Sequence, residues 1–422
     1  MVDNPFKYVL YDLRTGRFLG QLPFRSVTFS SALGNAGSFS GTLPLGSSAM
    51  TNLNPIELTR PNRTALVVDY LGAIIWAGII WVKSPDIPTR DLQITASELL
   101  SYTQQRIQAT DYSAPPYSGL SGPSTPMTIW NAASVSGSMW DPVLIAWQVL
   151  FDAIKQAEYG DLLGGLGFAA NGCPTPDAYL ASGTATPAQN YTSASYPWSS
   201  FQQVYQIVSQ LAALGLGVGF DWGIDAAYTA GPLSTPAATI NLSYPRRGRT
   251  YVENNLVLNC QQAFSYQIPQ DGSQSANTVF EQGASGSLVV SQNLSALEDG
   301  YPLLEQTQSR STLQSSNTLN ILASLGLSDL AALSFPVTTP SVTTDLFNGP
   351  VQLGQFIVGD DVRLFIPATG GDGQVFDPSF PTGIDDEWRI TGYQAKVGDD
   401  GPSTLTFNLS LPPALVTTAA PV

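Results

Sequence analysis

Residues 65–82 read ALVVDYLGAIIWAGIIWV and form the longest apolar stretch of the 422-residue chain. Asp69 and two glycines interrupt the stretch, and its many β-branched residues favour extended backbone. A membrane-spanning helix needs about 20 predominantly apolar residues in a row. The stretch therefore predicts buried strands, and no membrane span is expected.

The neighbouring segments continue the pattern of short strands bounded by glycine, proline or asparagine. YVLYD, RFLGQLP, SVTFSSAL and SFSGTLPL precede the stretch, and DLQITA follows it. This spacing predicts an antiparallel β domain of about seven strands over residues 1–112. Near its end, Thr95 and Glu98 have the spacing of a capping box, which predicts that a helix begins there.

Residues 113–250 predict a mixed α/β middle domain. Proline and glycine make 113–126 a loop, and 164–198 is expected to be an irregular excursion rich in Gly, Ala, Thr and Pro. Apolar residues at helical spacing predict two amphipathic helices, over 141–160 and 199–215.

Residues 251–422 predict strands, a helical link over 289–330 and a second β domain. Its strand-like segments are QLGQFIVGDDVRLFIP, DEWRITGYQAKVG and STLTFNLSLP. The predicted fold class is thus mainly β with a helical part (α+β). Two similar antiparallel β-barrel-type domains are expected to flank the middle domain.

Composition limits the possible functions. Only 12% of residues are charged, which suits a subunit buried among neighbours as well as a low-charge globular protein. The net charge of −15 argues against general nucleic-acid binding, and the one basic cluster, Arg246, Arg247 and Arg249, is short. The chain has no histidine, which excludes Ser-His-Asp and Cys-His catalysis. Cys173 and Cys260 are expected to be unrelated thiols.

The stretch VGDDVRLFIP (358–367) raises the possibility of a metal-dependent enzyme, because paired carboxylates hold catalytic metal ions. A two-metal site would need further carboxylates at the same pocket. Asp360 and Asp361 instead stand where a strand begins. A second Asp pair recurs before Gly401, in a predicted hairpin turn where Asp-Gly is favoured, at Asp399 and Asp400. Both Asp pairs are therefore predicted to be turn residues.

Two further motifs invite ligand hypotheses. GLGVGFDWGI (215–224) has closely spaced glycines, but a helix precedes it and a strand follows, the reverse of a phosphate-binding loop. Asp385, Asp386 and Glu387 form an acidic cluster, for which a solvated turn and weak calcium binding are both open. No catalytic, cofactor-binding or metal-binding residue is assigned, and no cofactor is expected.

The two ends of the chain share a pattern. IELTRPNRTALVVDY, IIWAGIIWVKSPD and RDLQITA run in the same order as DDVRLFIP, DEWRITGYQAKVGDD and STLTFNLSL. Each set reads as a strand, a tryptophan-bearing strand, an acidic turn and a strand. An internal duplication and a chance similarity between β meanders are both open.

The motif order resembles the hub, or minor tail, proteins of long-tailed bacteriophages, in particular the Gp37-like group of siphophages that infect actinobacteria. The segments that carry the resemblance span nearly the whole chain, except the excursion at 113–200. They are YDLRTGRFLGQLP, WAGIIWVKSPDIPTRDLQITASELLSYTQQRI, VENNLVLNCQQAFSYQIPQDGSQSANTVFEQGASGS, LGQFIVGDDVRLFIP and DEWRITGYQAKV.

The resemblance implies a homotrimer whose two similar β domains per chain build a pseudo-sixfold ring around the tail channel. Implied partners are the distal tail protein, the C-terminus of the tape-measure protein and tail-tip or central fibre proteins, with no sequence-specific nucleic-acid binding. The protein would be a structural part of the virion tail tip, involved in DNA passage. The N-terminus lacks a signal-peptide pattern, so assembly in the host cytoplasm is expected. Trp76, Trp81 and Trp388 are expected in the ring core.

Two other functions are weighed against this one. A cell-wall glycan hydrolase acts through two carboxylates and needs no histidine. Its candidates are Asp221 or Asp225 beside Trp222, and Glu387 beside Trp388. The other alternative is a carbohydrate-binding adhesin of the tail tip that uses aromatic residues of the 113–200 excursion.

Overall fold

A computed structural model describes residues 5–50, 53–86, 88–108, 201–213, 220–243, 246–273, 275–283, 286–310, 337–371, 373–399 and 401–412, with short pieces within 128–195 and 322–334. No helix in this part of the chain is long and apolar enough to cross a membrane.

Seven strands form the N-terminal part, as the sequence predicts. They are β1 (Phe6–Asp12), β2 (Phe18–Gln21), β3 (Arg25–Ala32), β4 (Ser38–Pro44), β5 (Thr64–Tyr70), β6 (Ala73–Asp86) and β7 (Asp91–Glu98), accompanied by the short helices α1 (Pro55–Leu58) and α2 (Ser101–Gln104). The predicted capping box is wrong, because Thr95 and Glu98 lie inside β7, where they pair with Val82 and Gly78 of β6. The strand ladder overrides the local helix signal there.

The middle part includes three short strands, a helix and a hairpin. Its elements are β8 (Thr128–Ile129), β9 (Ala169–Ala170), β10 (Ala194–Ser195), α3 (Val204–Ala212), β11 (Asp221–Tyr228) and β12 (Pro236–Ser243). Helix α3 confirms the helix predicted over 199–215, and it buries Val204, Val208 and Leu211 on one face. Most of the helix predicted over 141–160 and of the 113–200 excursion lies outside the described residues.

The C-terminal part is again rich in strands. Its elements are α4 (Tyr251–Asn254), β13 (Val257–Asn259), β14 (Ser265–Gln267), β15 (Gln270–Asp271), β16 (Thr278–Gly283), β17 (Leu288–Gln292), α5 (Leu294–Glu298), β18 (Glu305–Arg310), β19 (Val337–Thr338), β20 (Ser341–Asp345), β21 (Asp361–Ile366), β22 (Ile384–Val397) and β23 (Thr404–Ser410). The helical link predicted over 289–330 is wrong at β17 and β18. Both strands pair with β16, so the extended segments gain a ladder that a helix would not offer.

One open sheet of 13 strands contains strands from both the N-terminal and the C-terminal part of the chain. Its order is β14-β20-β23-β22-β3-β4-β7-β6-β5-β1-β2, with β21 pairing to β22 and β13 to β21. The prediction of β-barrel-type domains is therefore wrong for the described strands. A barrel closes when the last strand of a set pairs with its first strand. Here the N-terminal and C-terminal sets pair with each other instead, through β3 and β22. The domain limits at residues 112 and 250 stay a prediction.

The large sheet contains the same six-stranded arrangement twice. The N-terminal unit has the order β3-β4-β7-β6-β5-β1, and the C-terminal unit has β14-β20-β23-β22-β21-β13. Equivalent strands also follow one another in the same order along the chain. The neighbouring pairs are antiparallel in both units, except that β13 runs parallel to β21 while β1 is antiparallel to β5. The echo seen in the sequence thus corresponds to a shared topology.

The long central strands of the two units match in detail. Both β6 and β22 have 14 residues. Each pairs through its first half with the preceding strand and through its second half with the following one. Each also has a register shift midway, between Ile80 and Val82 in β6 and between Ile390 and Gly392 in β22. When the two strands are aligned at these bulges, Trp76 aligns with the position two residues before Trp388.

The apolar character of residues 65–82 follows from burial on both faces of the sheet. Leu66 and Val68 of β5 pack into the main core, which also contains Trp76 and residues of the C-terminal unit such as Tyr393. Ala65 and Val67 point to the opposite face, where they meet β11 and β12 of the middle part. The hairpin β11–β12 is thereby placed against the N-terminal unit, close to the end of β7.

Candidate functional site

The Gly-Asp-Asp motif and the basic cluster are each other's partners. Asp361 opens β21, and its carboxylate receives hydrogen bonds from Arg246 Nη1 at 2.9 Å and Nη2 at 2.7 Å. The two side chains are only 5% and 8% exposed. A bidentate pair of this kind fixes both distance and orientation. It joins the loop after β12 to the start of β21.

Asp360 combines a turn contact with a second ion pair. Its Oδ2 accepts a hydrogen bond from Ile357 N at 3.1 Å, which closes the turn before β21. Arg249 donates through its backbone N to Oδ1 at 2.7 Å and through Nη2 to Oδ2 at 2.5 Å. The Asp360 side chain is fully buried, and this carboxylate raises the pKa of Arg249. The turn interpretation is therefore correct for Asp360 but incomplete.

Two glycines allow the loop after β12 and the turn before β21 to cross in direct backbone contact. Gly248 has φ +95° and Gly359 has φ +110°, values that favour glycine. A Cβ on Gly248 would lie 2.1 Å from the carbonyl carbon of Gly359, and a Cβ on Gly359 would lie 2.7 Å from Arg247 O. The close approach places the arginines of one segment beside the aspartates of the other.

The remaining contacts extend this network to β11 and β22. Arg247 donates from its backbone N to Asp221 Oδ2 at 2.6 Å and from Nη2 to Asp225 Oδ1 at 2.6 Å. Arg389 of β22 pairs with Asp221 and also donates to Arg247 O at 2.8 Å and Gly359 O at 3.1 Å. We call these eight residues the arginine-aspartate cluster: Asp221, Asp225, Arg246, Arg247, Arg249, Asp360, Asp361 and Arg389.

A cavity of about 440 Å³ adjoins the cluster where the N-terminal unit, β11 and the C-terminal unit meet. Glu98, Trp222, Asp225, Arg247 and Tyr393 contribute to its lining. Burial raises the pKa of the Glu98 carboxyl to about 7, and Asp225 adds to the rise, whereas the hydrogen bond from Gly37 N and the charge of Arg247 oppose it. The charge of Glu98 is thus expected to change near neutral pH.

The carboxylates considered for glycan hydrolysis are held in other contacts or separated from their tryptophans. Asp221 and Asp225 lie four residues apart on one face of β11, and both are bound by Arg247. Trp222 points to the other face, where it is buried and its ring centroid lies 5.6 Å from that of Tyr205. Glu387 is exposed, while Trp388 beside it faces the core. Neither pair forms a shared sugar-binding surface.

The acidic cluster at 385–387 is divided by the strand geometry. Asp385 forms an ion pair with Arg363 on the neighbouring strand, which lowers the pKa of Asp385. Asp386 follows it on β22 and therefore points to the opposite face. Among the described residues no group of three His, Cys, Asp or Glu side chains could hold a metal ion.

The second Asp pair lies between β22 and β23, which form the predicted hairpin. Asp399 Oδ2 accepts a hydrogen bond at 2.7 Å from Ser26 N, at the start of β3. Asp400 lies outside the described residues. Cys260 is buried and free, with its thiol pKa raised to about 12 by burial, and Cys173 is not among the described residues.

The three tryptophans expected in the core occupy different environments. Trp76 is buried and donates from Nε1 to Ser30 O at 2.9 Å. Trp81 is only partly buried and donates to Ser101 Oγ at 2.9 Å. Trp388 is buried in the same main core as Trp76. Two of the three therefore belong to the shared core of the two units.

No family model matches the chain, and no curated protein sequence matches it. Among solved structures, the chain is similar to a tail protein of Neisseria meningitidis MC58, with 12% identity, a TM-score of 0.53 and coverage of 96% of this chain and 97% of that one. It is also similar to the 43 kDa tail protein of prophage MuSo2 from Shewanella oneidensis, with 13% identity, a TM-score of 0.53 and the same coverage.

At these identities the similarity establishes the fold. The chain has the fold of phage tail proteins along nearly its whole length. This agrees with the resemblance drawn from the motif order at the level of tail proteins. Membership of the Gp37-like group stays a prediction.

Proposed function

We propose that the protein is a structural subunit of a phage tail, and that three copies form a hub ring around the tail channel. The observation that carries the proposal is the repeated six-stranded topology within one continuous sheet. Each chain supplies two similar units, so three chains supply six similar positions around a ring. A ring of this kind is matched to a sixfold-symmetric neighbour.

The arginine-aspartate cluster supports a rigid structural role. It ties β11 to the loop after β12, to the start of β21 and to β22 through charge-assisted hydrogen bonds. Each of its carboxylates already accepts hydrogen bonds from an arginine, which leaves it poorly placed to contact a substrate. We therefore propose that the protein is not an enzyme and binds no cofactor.

The position in the tail follows from the resemblance to hub proteins. In this proposal the ring joins the distal tail protein to the tail-tip or central fibre proteins and contacts the C-terminal end of the tape-measure protein, in the virion. A net charge of −15 suits a channel through which DNA slides without being held.

Negative-stain imaging of the purified protein tests the ring directly. The expected class averages show a ring with a central hole and threefold symmetry that approaches sixfold at low resolution. Particles without a central hole at all concentrations would contradict the proposal. A mixture with purified distal tail protein is expected to give stacked rings, and the absence of any complex would remove that partner from the proposal.

A further inference from the structure

We infer that neighbouring copies are joined by a β-sheet seam between the outer edge of β6 in one copy, from Val82 onward, and the segment Ser265–Asp271, which contains β14 and β15, in the next. The inference rests on the proposed ring and names the surface that closes it. Its source is the junction between the two units within one chain.

That internal junction provides the template. The second half of β22, from Gly392 to Val397, pairs in antiparallel register with Ala32 to Val27 of β3. The paired segment begins directly after the bulge of β22. The C-terminal unit thus offers its long central strand to the edge strand of the N-terminal unit.

Each unit also has a surface that is equivalent to the other unit's side of this junction. These two surfaces are the second half of β6 and the outer edge of β14, and they are not joined to each other within the chain. In the shared topology β6 corresponds to β22, and β14 corresponds to β3. Among the described strands, only β7 pairs with the part of β6 beyond Ile80, and only β20 pairs with β14. A second copy can therefore repeat the internal junction between its C-terminal unit and the N-terminal unit of its neighbour.

Aligning the two units also gives the register. The bulges align Val82 with Gly392. The pairings that lead from β7 through β4 to β3, and from β23 through β20 to β14, then align Ala32 with Asp271. Because Gly392 pairs with Ala32 in the template, Val82 is expected opposite Asp271. Lys83 then lies opposite Gln270.

The side chains at both edges suit a covered surface. Val82 is 54% exposed on β6, while Phe264 next to β14 is 56% exposed and Val337 of β19, which pairs with β15, is 42% exposed. Exposed apolar residues on strand edges are a typical basis for pairing with another chain. Pro85 has no N–H, so it limits the ladder to the residues before it.

The contact is heterologous, because two different surfaces of the chain meet. A heterologous contact builds either a closed ring or an open filament, depending on whether the rotation closes. Here the internal junction between β22 and β3 and the proposed seam between copies would have the same geometry. The two kinds of junction would alternate around the ring. Three copies then give six equivalent junctions.

Cysteine cross-linking tests the seam. The variant Val82→Cys/Asp271→Cys is expected to give disulfide-linked dimers and trimers on non-reducing gels after mild oxidation, whereas either single variant is not. Thr28→Cys/Lys396→Cys bridges the internal junction and is the matched control, which stays monomeric on the same gel with an altered mobility. Val82→Cys/Val252→Cys is the mismatched control, because Val252 is highly exposed but lies on α4.

The outcomes separate the seam from the ring. A threefold assembly in which the control pair cross-links but Val82→Cys/Asp271→Cys does not would overturn the seam and leave the proposed ring intact. A monomer without intermolecular cross-links would overturn both. Linked trimers from the designed pair alone would support both.

A backbone variant provides an independent test. Pro85 pairs with Leu92 of β7 although it cannot donate, so the N–H positions of Lys83 and Pro85 face away from β7. Lys83→Pro is therefore expected to preserve the fold and convert the assembly to monomers. Ser84→Pro removes an N–H that faces β7 and is expected to lower thermal stability. Unchanged assembly of a folded Lys83→Pro protein would contradict the seam.

Discussion

Arg246 donates two hydrogen bonds to Asp361 across 115 residues of sequence, and both side chains are almost completely buried. Burial of two charges is costly unless each satisfies the other, so neither residue can be removed alone without leaving an unpaired buried charge. The pair fixes the loop after β12 to β21, the strand that begins at Asp361.

Breaking this pair is expected to destabilise the fold strongly. Asp361→Asn leaves Arg246 charged and buried, and should lower the free energy of unfolding by about 3 kcal/mol or more. Asp385→Asn is the matched control, because the Asp385–Arg363 pair is nearly half exposed, and solvent-exposed ion pairs contribute little to stability. Urea unfolding of both variants measures the difference. Equal losses would show that Asp361 does not depend on its buried partner.

The backbone crossing predicts a specific intolerance of side chains. Gly248→Ala places a methyl group against the backbone of Gly359 at a positive φ, and should cost about 2 kcal/mol or more. Gly371→Ala is the control, since nothing lies within 4 Å of the added Cβ. Thermal unfolding of the two variants is the measurement. A Gly248→Ala protein as stable as the control would argue against the crossing.

Glu98 predicts a dependence of stability on pH. Its folded-state pKa of about 7 lies above the usual value of 4.5, so the folded protein binds this proton more tightly than the unfolded chain. The free energy of unfolding should therefore fall as pH rises from about 4.5 to about 7, by up to about 3 kcal/mol, and level off above.

Glu98→Gln is the control for this dependence. The amide keeps an oxygen that accepts the hydrogen bond from Gly37 N, which reaches Glu98 Oε2 at 2.8 Å, but it does not titrate. The fall in stability between pH 4.5 and 7 should be smaller in this variant by the contribution of Glu98. Parallel stability profiles of the variant and the natural protein would assign the pH dependence to other groups.

The structural proposal also predicts the absence of glycan hydrolysis. Purified protein is expected to release no soluble sugar from bacterial cell walls, with a known lysozyme as positive control. If release were observed, Asp225→Asn and Glu387→Gln would identify whether either carboxylate is responsible. Release abolished by one of these substitutions would contradict the proposal in favour of the hydrolase.

Local sequence patterns were sufficient for most strands. The alternation in β4 and β23 and the double-sided burial of β5 are visible in the letters, because strand periodicity depends on adjacent residues. The β3–β22 pairing joins segments more than 350 residues apart, and nothing local encodes it. For the same reason, the sequence pattern predicts separate barrels where the structure has one shared sheet.

The arginine-aspartate cluster could be predicted only in part. Taken alone, the motif at 359–361 predicts a turn, and the basic residues at 246–249 form only a short patch. Their complementary charges and the glycine in each motif were the available signal. For Glu98 the local pattern is misleading, because it predicts a helix cap. The structure instead places the Glu98 carboxyl at the junction of three parts of the fold.

The mass of the purified protein in solution tests the central claim most directly. Light scattering across a concentration series is expected to give three times the chain mass of 44.8 kDa, independent of concentration over the micromolar range. A mass of 44.8 kDa at every concentration would contradict the ring, and a mass that increases without limit would indicate an open filament instead of a closed trimer.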